Sequence, residues 1–200
     1  GWYNDEIISL EAGQIKQRED VTQDEGVRAD STAESLGKLR PAFAKEGSVT
    51  AGNASQISDG GAAVVVASQD AAKEIGAAVM ARIVDSNTVG VEPKKIFTAP
   101  GIGVEQLLEK NNLTADDVDL FEINEAFAMV ALLPHKLLGI PLEKINVNGG
   151  ACSLGHPLGC SGARIVVTLI HALRNRGLKR GIASLCIGGG EATAVAIELV

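Results

Sequence analysis

From residue 77 onward, short β-branched runs and longer apolar helical runs take turns, and the last two runs are joined by Gly188-Gly189-Gly190. This alternation constrains the fold more than any other feature. Strand candidates fall at residues 78–85, 118–123, 145–147, 181–187 and 192–199, and helix candidates at 104–111, 126–138 and 162–174. Alternating strands and helices imply a layered α/β domain. A link of glycines is too short for a crossover, so the last two strands should pair antiparallel. Helices between the others permit parallel pairing, and the sheet should be mixed.

Residues 1–50 are polar and weakly periodic. Residues 5–10 read as a short strand. Residues 31–39 carry a capping residue followed by Glu34, a helix start that Pro41 ends. Asp59-Gly60-Gly61 is a turn signal, Ala62 to Ala67 (AAVVVA) reads as a short buried strand, and residues 68–75 as a helix start. Nothing before residue 77 looks like an independent core, so this part should lean on something else.

Composition excludes several classes. Hydrophobic residues make up 46% of the 200, which rules out a mainly disordered chain. The apolar runs are broken by Gly or charge well short of a membrane span. A net charge of −7 argues against general nucleic-acid or anionic-membrane binding, yet leaves room for an anionic small molecule in a local basic pocket. The three cysteines, Cys152, Cys160 and Cys186, are an odd set and suggest a reducing, cytoplasmic compartment rather than a disulfide framework. The sequence opens on Gly1-Trp2-Tyr3, with neither an initiator Met nor a signal-peptide pattern, which raises the expectation of a longer parent chain.

Three clusters could carry chemistry. Residues 148–164 set His156 among Gly149, Gly150, Gly155, Gly159 and Gly162, ahead of an apolar helix. Glycines let backbone and ligand approach closely, Pro157 keeps His156 extended, and a His on such a loop can act as a general base. A glycine-rich turn with a hydrogen-bonded His fits equally well. Cys186 precedes the glycine triplet, which suits an oxyanion site or acid–base thiol as well as a buried strand cysteine. Asn124 could orient water or cap a helix. Other patterns weigh less. Cys152, His156 and Cys160 have the spacing of helical metal ligands, but Gly155, Pro157 and Gly159 oppose a helix and a fourth ligand is missing, so no metal is expected. Gly101-Ile-Gly103 lacks the rest of a dinucleotide fingerprint. Cys160 at a helix start reads either as a low-pKa nucleophile or as a filler behind the loop. His135 and His171 read as structural or surface residues.

Taken together, Asn124-Glu-Ala-Phe127, Gly149-Gly-Ala-x-x-x-Gly-His156-Pro-x-Gly-x-Ser-Gly-Ala-Arg164 and Cys186-x-Gly-Gly-Gly190 resemble the thiolase family in order and spacing. So does Gly52-Asn-Ala-Ser55 followed by Asp59-Gly60. The resemblance spans the whole chain but only the C-terminal half of a thiolase, leaving out the family's nucleophilic cysteine. It implies the α/β thiolase fold, here a mixed five-stranded sheet with helices on both faces. Residues 1–57 would end the loop domain, 58–76 would be the last elements of the N-terminal half-domain, and 77–200 the C-terminal half-domain. It also implies acyl-CoA C-acyltransferase chemistry: ping-pong acyl transfer that makes or cleaves 3-ketoacyl-CoA, acetyl/acetoacetyl-CoA first among substrates. His156 would activate the nucleophile and, with an Asn124-held water, form an oxyanion hole. Cys186 would move the proton at the α-carbon or on the CoA thiol, and the Gly188 N–H would serve a second oxyanion site. Arg28 and Ser35 fall where the family binds the CoA nucleotide end, and Ala51 and Ser55 where it holds pantetheine. Coenzyme A thioesters would be substrates, with no cofactor besides, and the assembly a homodimer or homotetramer. The family also leaves open a non-catalytic CoA-binding or assembly module, or one subunit of a split enzyme. Cys152, Cys160 and Ala192 depart from the residues common at those positions. Alone, such a chain should expose apolar surface and self-associate.

Overall fold

A computed structural model describes residues 1–200. In chain order the elements are α1 (Ala12–Ile15), α2 (Ala33–Gly37), α3 (Gln69–Glu74), β1 (Ala81–Gly90), α4 (Ala99–Lys110), β2 (Leu120–Ile123), α5 (Ala128–Leu138), α6 (Ala151–Leu154), α7 (Leu158–Arg176), β3 (Arg180–Ile187) and β4 (Glu191–Leu199). The sheet has the order β1-β4-β3-β2. β3 and β4 pair antiparallel from Ile187↔Glu191 outward. Their turn holds Gly189 and Gly190 at φ +97° and +99°, backbone that side-chain-bearing residues rarely adopt. A Cβ on Gly190 would also stand 2.5 Å from the Val91 carbonyl, whose residue donates its own N–H to Gly190 O. β2 runs parallel to β3, and β1 closes the other edge antiparallel to β4, with an irregularity between Ile83 and Asp85. The sheet is therefore mixed.

Strand alternation splits the core. Phe121, Ile123, Ile182, Ala194 and Ala196 join Val104, Leu107 and Leu108 of α4 and Val130 and Ala131 of α5 on one face. Leu120, Ala183 and Ile197 meet Ile165, Leu169, Ala172 and Leu173 of α7 on the other. Ile165, Leu169, Ala172 and Leu173 recur at helical spacing, and Gly177 ends α7 in the left-handed region at φ +64°. A Cβ at Gly181 would lie 2.7 Å from Leu169, so α7 packs directly on bare strand backbone there.

The expected elements are mostly present, with four corrections. The fifth strand, at 145–147, is a single parallel bridge between Ile145 and Phe121, leaving a four-stranded sheet. Asn146 explains this. It turns to φ +47°, and its side-chain amide takes the Ile123 N–H (2.7 Å) and carbonyl (2.8 Å) that the next strand residue would have paired. The 5–10 strand is likewise one bridge, Leu10 to Val21. Residues 62–67 form no strand and are not buried: Val65 is 94% exposed, because no second layer covers it. The helix expected at 162–174 starts earlier, at Leu158, since Pro157 at its cap has no N–H to leave unpaired. Before residue 77 only Ala72 is buried, so the first part of the chain contributes almost nothing to the core. Ile57, Val65, Val66 and Ile75 add to an exposed apolar surface. No helix is long and apolar enough to cross a membrane.

Candidate active site

The site gathers at the C-terminal ends of the parallel pair. Asn124 extends the β2 ladder by donating its N–H to Ser184 O (2.9 Å) of β3, two residues before Cys186. Asn124 is buried and does not cap α5, whose cap position is Phe127. Its amide nitrogen instead approaches the His156 ring, 3.3 Å from Nε2 and 3.5 Å from Nδ1, and its Oδ1 is buried without a partner.

His156 is held from three sides. Gly155 precedes it at φ +95°, and a Cβ there would strike the Ser58 side chain. The His156 N–H donates to Gln56 O (3.0 Å). Nδ1 lies 2.6 Å from Ser161 Oγ, a fully buried hydroxyl in the first turns of α7 that also reaches Pro157 O (3.0 Å). Burial, then the positive charge of Arg164, hold His156 below its usual pKa, so the ring is neutral at neutral pH and has a lone pair to offer. Gln56 Nε2 ties distant segments to this loop through Gly26 O (2.9 Å) and Ser153 O (3.1 Å). Ser55, Gln56, Ile57, Ser58, His156 and Leu158 line one cleft of about 510 Å³.

Glu125 fastens the two motifs together. Its carboxylate accepts from Asn146 Nδ2 (3.0 Å) and from the Cys152 N–H (3.1 Å), and it fills the space a side chain at Gly150 would need. Its charge, after burial, raises the Cys152 thiol to about 12, so this cysteine is inert. Cys160 is buried beside Gly60, and desolvation raises its pKa too, against a smaller pull from Arg164. The low-pKa nucleophile reading of Cys160 is thus corrected to that of a filler. Cys152, His156 and Cys160 do not converge into a metal-ligating group.

Cys186 is the penultimate residue of β3, opposite Ala192 and partly exposed, and burial raises its thiol, so it rests protonated. Gly188 lies in the exposed hairpin turn. Ser55 donates its N–H to Ala126 O (3.2 Å), which places it in the cleft with His156. The other three binding candidates do not line that cleft. Ala51 is exposed in the Thr50–Asn53 turn, and Arg28 is exposed. Ser35 uses its hydroxyl in a capping box with Thr32 (3.0 Å) at the start of α2.

Sequence reasoning passed over Ser161 and Gln56. Ser161 had a signal: a helical side chain leans toward its N-terminus, and a hydroxyl five residues after the His can reach back to it. Gln56, 97 positions from Ser153, had none. A buried charge cluster was also missed. Arg164 Nη1 meets the fully buried Glu122 at 3.1 Å, and burial raises the Glu122 carboxyl despite that contact. Glu6 accepts from Thr168 (3.3 Å), its other oxygen unpaired.

Known proteins resemble this chain in sequence and fold. The family description "Thiolase, C-terminal domain" matches residues 77–199, and "Thiolase, N-terminal domain" matches residues 1–70. The chain belongs to the thiolase family. An acetyl-CoA acetyltransferase of Allochromatium vinosum is 50% identical over 199 residues, covering 99% of this chain and 50% of its own length. A rat peroxisomal 3-ketoacyl-CoA thiolase B is 46% identical over 204 residues, covering 99% of this chain and 48% of its own. The crystal structure of the Bacillus anthracis acetyl-CoA acetyltransferase superposes with a TM-score of 0.92 at 48% identity, covering 100% of this chain and 51% of that one. Human mitochondrial 3-ketoacyl-CoA thiolase in complex with CoA gives 0.89 at 40% identity over 100% and 50%. The dimeric peroxisomal thiolase of Saccharomyces cerevisiae gives the same three similarity and coverage figures for this chain, 0.89, 40% and 100%, over 50% of its own. The α/β thiolase fold is thereby established. This thiolase chain spans about half the length of the curated relatives it matches.

Proposed function

We propose that this thiolase chain supplies the acid–base half of an acyl-CoA C-acyltransferase acting by reversible Claisen condensation of acetyl-CoA and thiolysis of 3-ketoacyl-CoA. The observation that carries the reading is the neutral His156 ring, braced by Ser161, touched by Asn124 and opening on the cleft of Ser55. A cysteine outside this span attacks the thioester carbonyl, and His156 takes its proton. The carbon–sulfur bond to CoA breaks, leaving an acyl-cysteine and a CoA thiol. In the second half, Cys186 exchanges the proton of the incoming α-carbon or CoA thiol, a role that suits a thiol resting in the protonated form. His156, once protonated, and an Asn124-held water stabilise the negative oxygen at one oxyanion site, and the Gly188 N–H serves a second. Arg28 and Ser35 bind the nucleotide end of CoA, and Ala51 and Ser55 its pantetheine arm. The CoA-bound human relative supports the ligand, and the dimeric yeast relative supports a homodimer, with a homotetramer as the larger assembly. Residues 1–57 belong to the loop domain, 58–76 to the N-terminal half-domain and 77–200 to the C-terminal one. The protein is cytoplasmic. In the full-length chain, His156→Ala should cut thiolysis by about 100-fold or more, measured as loss of 3-ketoacyl-CoA absorbance. Unchanged activity would sink the reading.

The exposed apolar strip of Ile57, Val65 and Val66 favours a second reading, a subunit or assembly module whose partner carries the nucleophile. The denatured mass of the protein from its source separates the two. A value near 20.7 kDa supports the second, and one about twice as large supports the first.

A further inference from the structure

We infer that Ser161 is a positioning residue that holds the His156 ring with its proton on Nδ1, leaving Nε2 as the lone-pair nitrogen. The hydroxyl is fully buried at the start of α7, and its 2.6 Å contact is the shortest that either ring nitrogen makes. The Ser161 O–H points to Pro157 O at 3.0 Å, so the oxygen lone pair faces Nδ1 and accepts its N–H. Asn124 presents its amide N–H groups to the ring, 3.3 Å from Nε2 and 3.5 Å from Nδ1, and with Nδ1 already engaged by Ser161 at 2.6 Å the Asn124 donor is left to Nε2. Donors facing Nε2 favour a lone pair there and oppose a second N–H. Which ring nitrogen is protonated is set by the bond the other one makes, so the two neighbours act in the same sense.

The backbone makes the arrangement rigid. Pro157 O also receives the N–H groups of Cys160 and Ser161, both at 2.9 Å, so the oxygen that orients the hydroxyl is itself fixed by the first turn of the helix. His156 is tied to Gln56 by its own N–H. The ring thus hangs between one anchor on α7 and one on the 53–58 segment. A rival arrangement exists: Ser161 turns its hydrogen from Pro157 O to Nδ1, and the proton moves to Nε2. That ring has no lone pair on the Asn124 side and cannot accept a proton there.

The catalytic consequence rests on the acyl-transfer reading, whereas the tautomer does not. The test is ring nitrogen spectroscopy on the full chain with 15N in its histidine side chains, the His156 signals being picked out by difference from His156→Gln. The expected result is a pyrrole-type Nδ1 and a pyridine-type Nε2. Ser161→Ala removes the acceptor, and the ring should shift to the Nε2–H form. In a thiolysis assay kcat should then fall about 10- to 100-fold with KM unchanged, as happens when a group that orients a catalytic imidazole is removed. Ser161→Thr keeps the hydroxyl and should restore both the spectrum and kcat. A wild-type ring already in the Nε2–H form overturns the inference, and that measurement needs no variant to fold. An Nδ1–H ring that survives Ser161→Ala overturns it as well, as does a shifted tautomer with undiminished kcat. If the wild-type chain shows no thiolysis at all, the acyl-transfer reading fails, and the spectra still decide the role of Ser161.

Discussion

Glu6→Gln should flatten the pH dependence of folding stability. Glu6 packs against α7, with Thr168 donating to one carboxylate oxygen while the other is buried without a partner. Desolvation is the main cause that raises its pKa from 4.5 to about 7, and Thr168 and Arg164 only partly offset it. The folded state therefore holds a proton that the unfolded state releases between those two values. Stability is greatest below pH 4.5 and declines as pH rises to about 7. A displacement of that size is worth at most about 3.4 kcal/mol, and solvent access to a half-buried carboxyl reduces it to about 1–2 kcal/mol. Gln imitates the protonated acid. The variant should match the native protein near pH 4.5 and exceed it by about 1–2 kcal/mol at pH 8. Trp2, the single tryptophan, lies with Arg176 4.4 Å above its ring, so its emission follows this segment through a urea titration, with circular dichroism tracking the sheet. His156 and His171, whose pKa values are lowered, titrate in both proteins and cancel in the difference, whereas Glu122, whose raised pKa owes part to the Glu6 charge, is lowered in the variant and flattens the curve in the same sense. If the two stability curves stay parallel from pH 5 to 8, the reasoning fails.

Gly181→Ala should cost about 1–3 kcal/mol in a urea melt, because the new methyl would meet the buried Leu169 at 2.7 Å; an unshifted midpoint would mean α7 can move aside freely. The acid limb of kcat/KM for thiolysis in the full-length chain should lie below pH 6.5, since burial lowers the pKa of the His156 base; a limb above 7 would contradict this. With iodoacetamide at pH 8, Cys152 and Cys160 should stay unmodified in the folded protein and react in urea, as peptide mass mapping would show; rapid labelling of Cys152 would contradict its contact with Glu125.

The α/β alternation and the closing hairpin were legible because apolar period and glycine placement report local geometry directly. Asn124 and His156 were legible as residue types in a motif, and their contact across 32 positions followed. The fifth strand was misread because apolar Ile145 and Val147 flank an asparagine whose side chain, not backbone, completes the edge. The valines at 64–66 were misread for a different reason. An apolar run says that a surface wants covering, not whether anything in the same chain covers it. Nothing in the sequence marks Glu6, because its contact with Thr168 spans 162 positions.

The parallel pairing of β2 with β3 has a kinetic consequence. Asn124, Glu125, His156 and Ser161 all lie on the connection between these strands, so every one of them is inside the loop that must close before Leu120 meets Gly181. Closing about 60 residues costs on the order of 3–4 kcal/mol of chain entropy, far more than any hydrogen bond within the site returns. Asn124 is therefore fixed only when the β2 edge pairs, since its N–H is held by Ser184 O, and an opening of that edge in the native protein carries Asn124 away from His156 while the local contact of His156 with Ser161 stays.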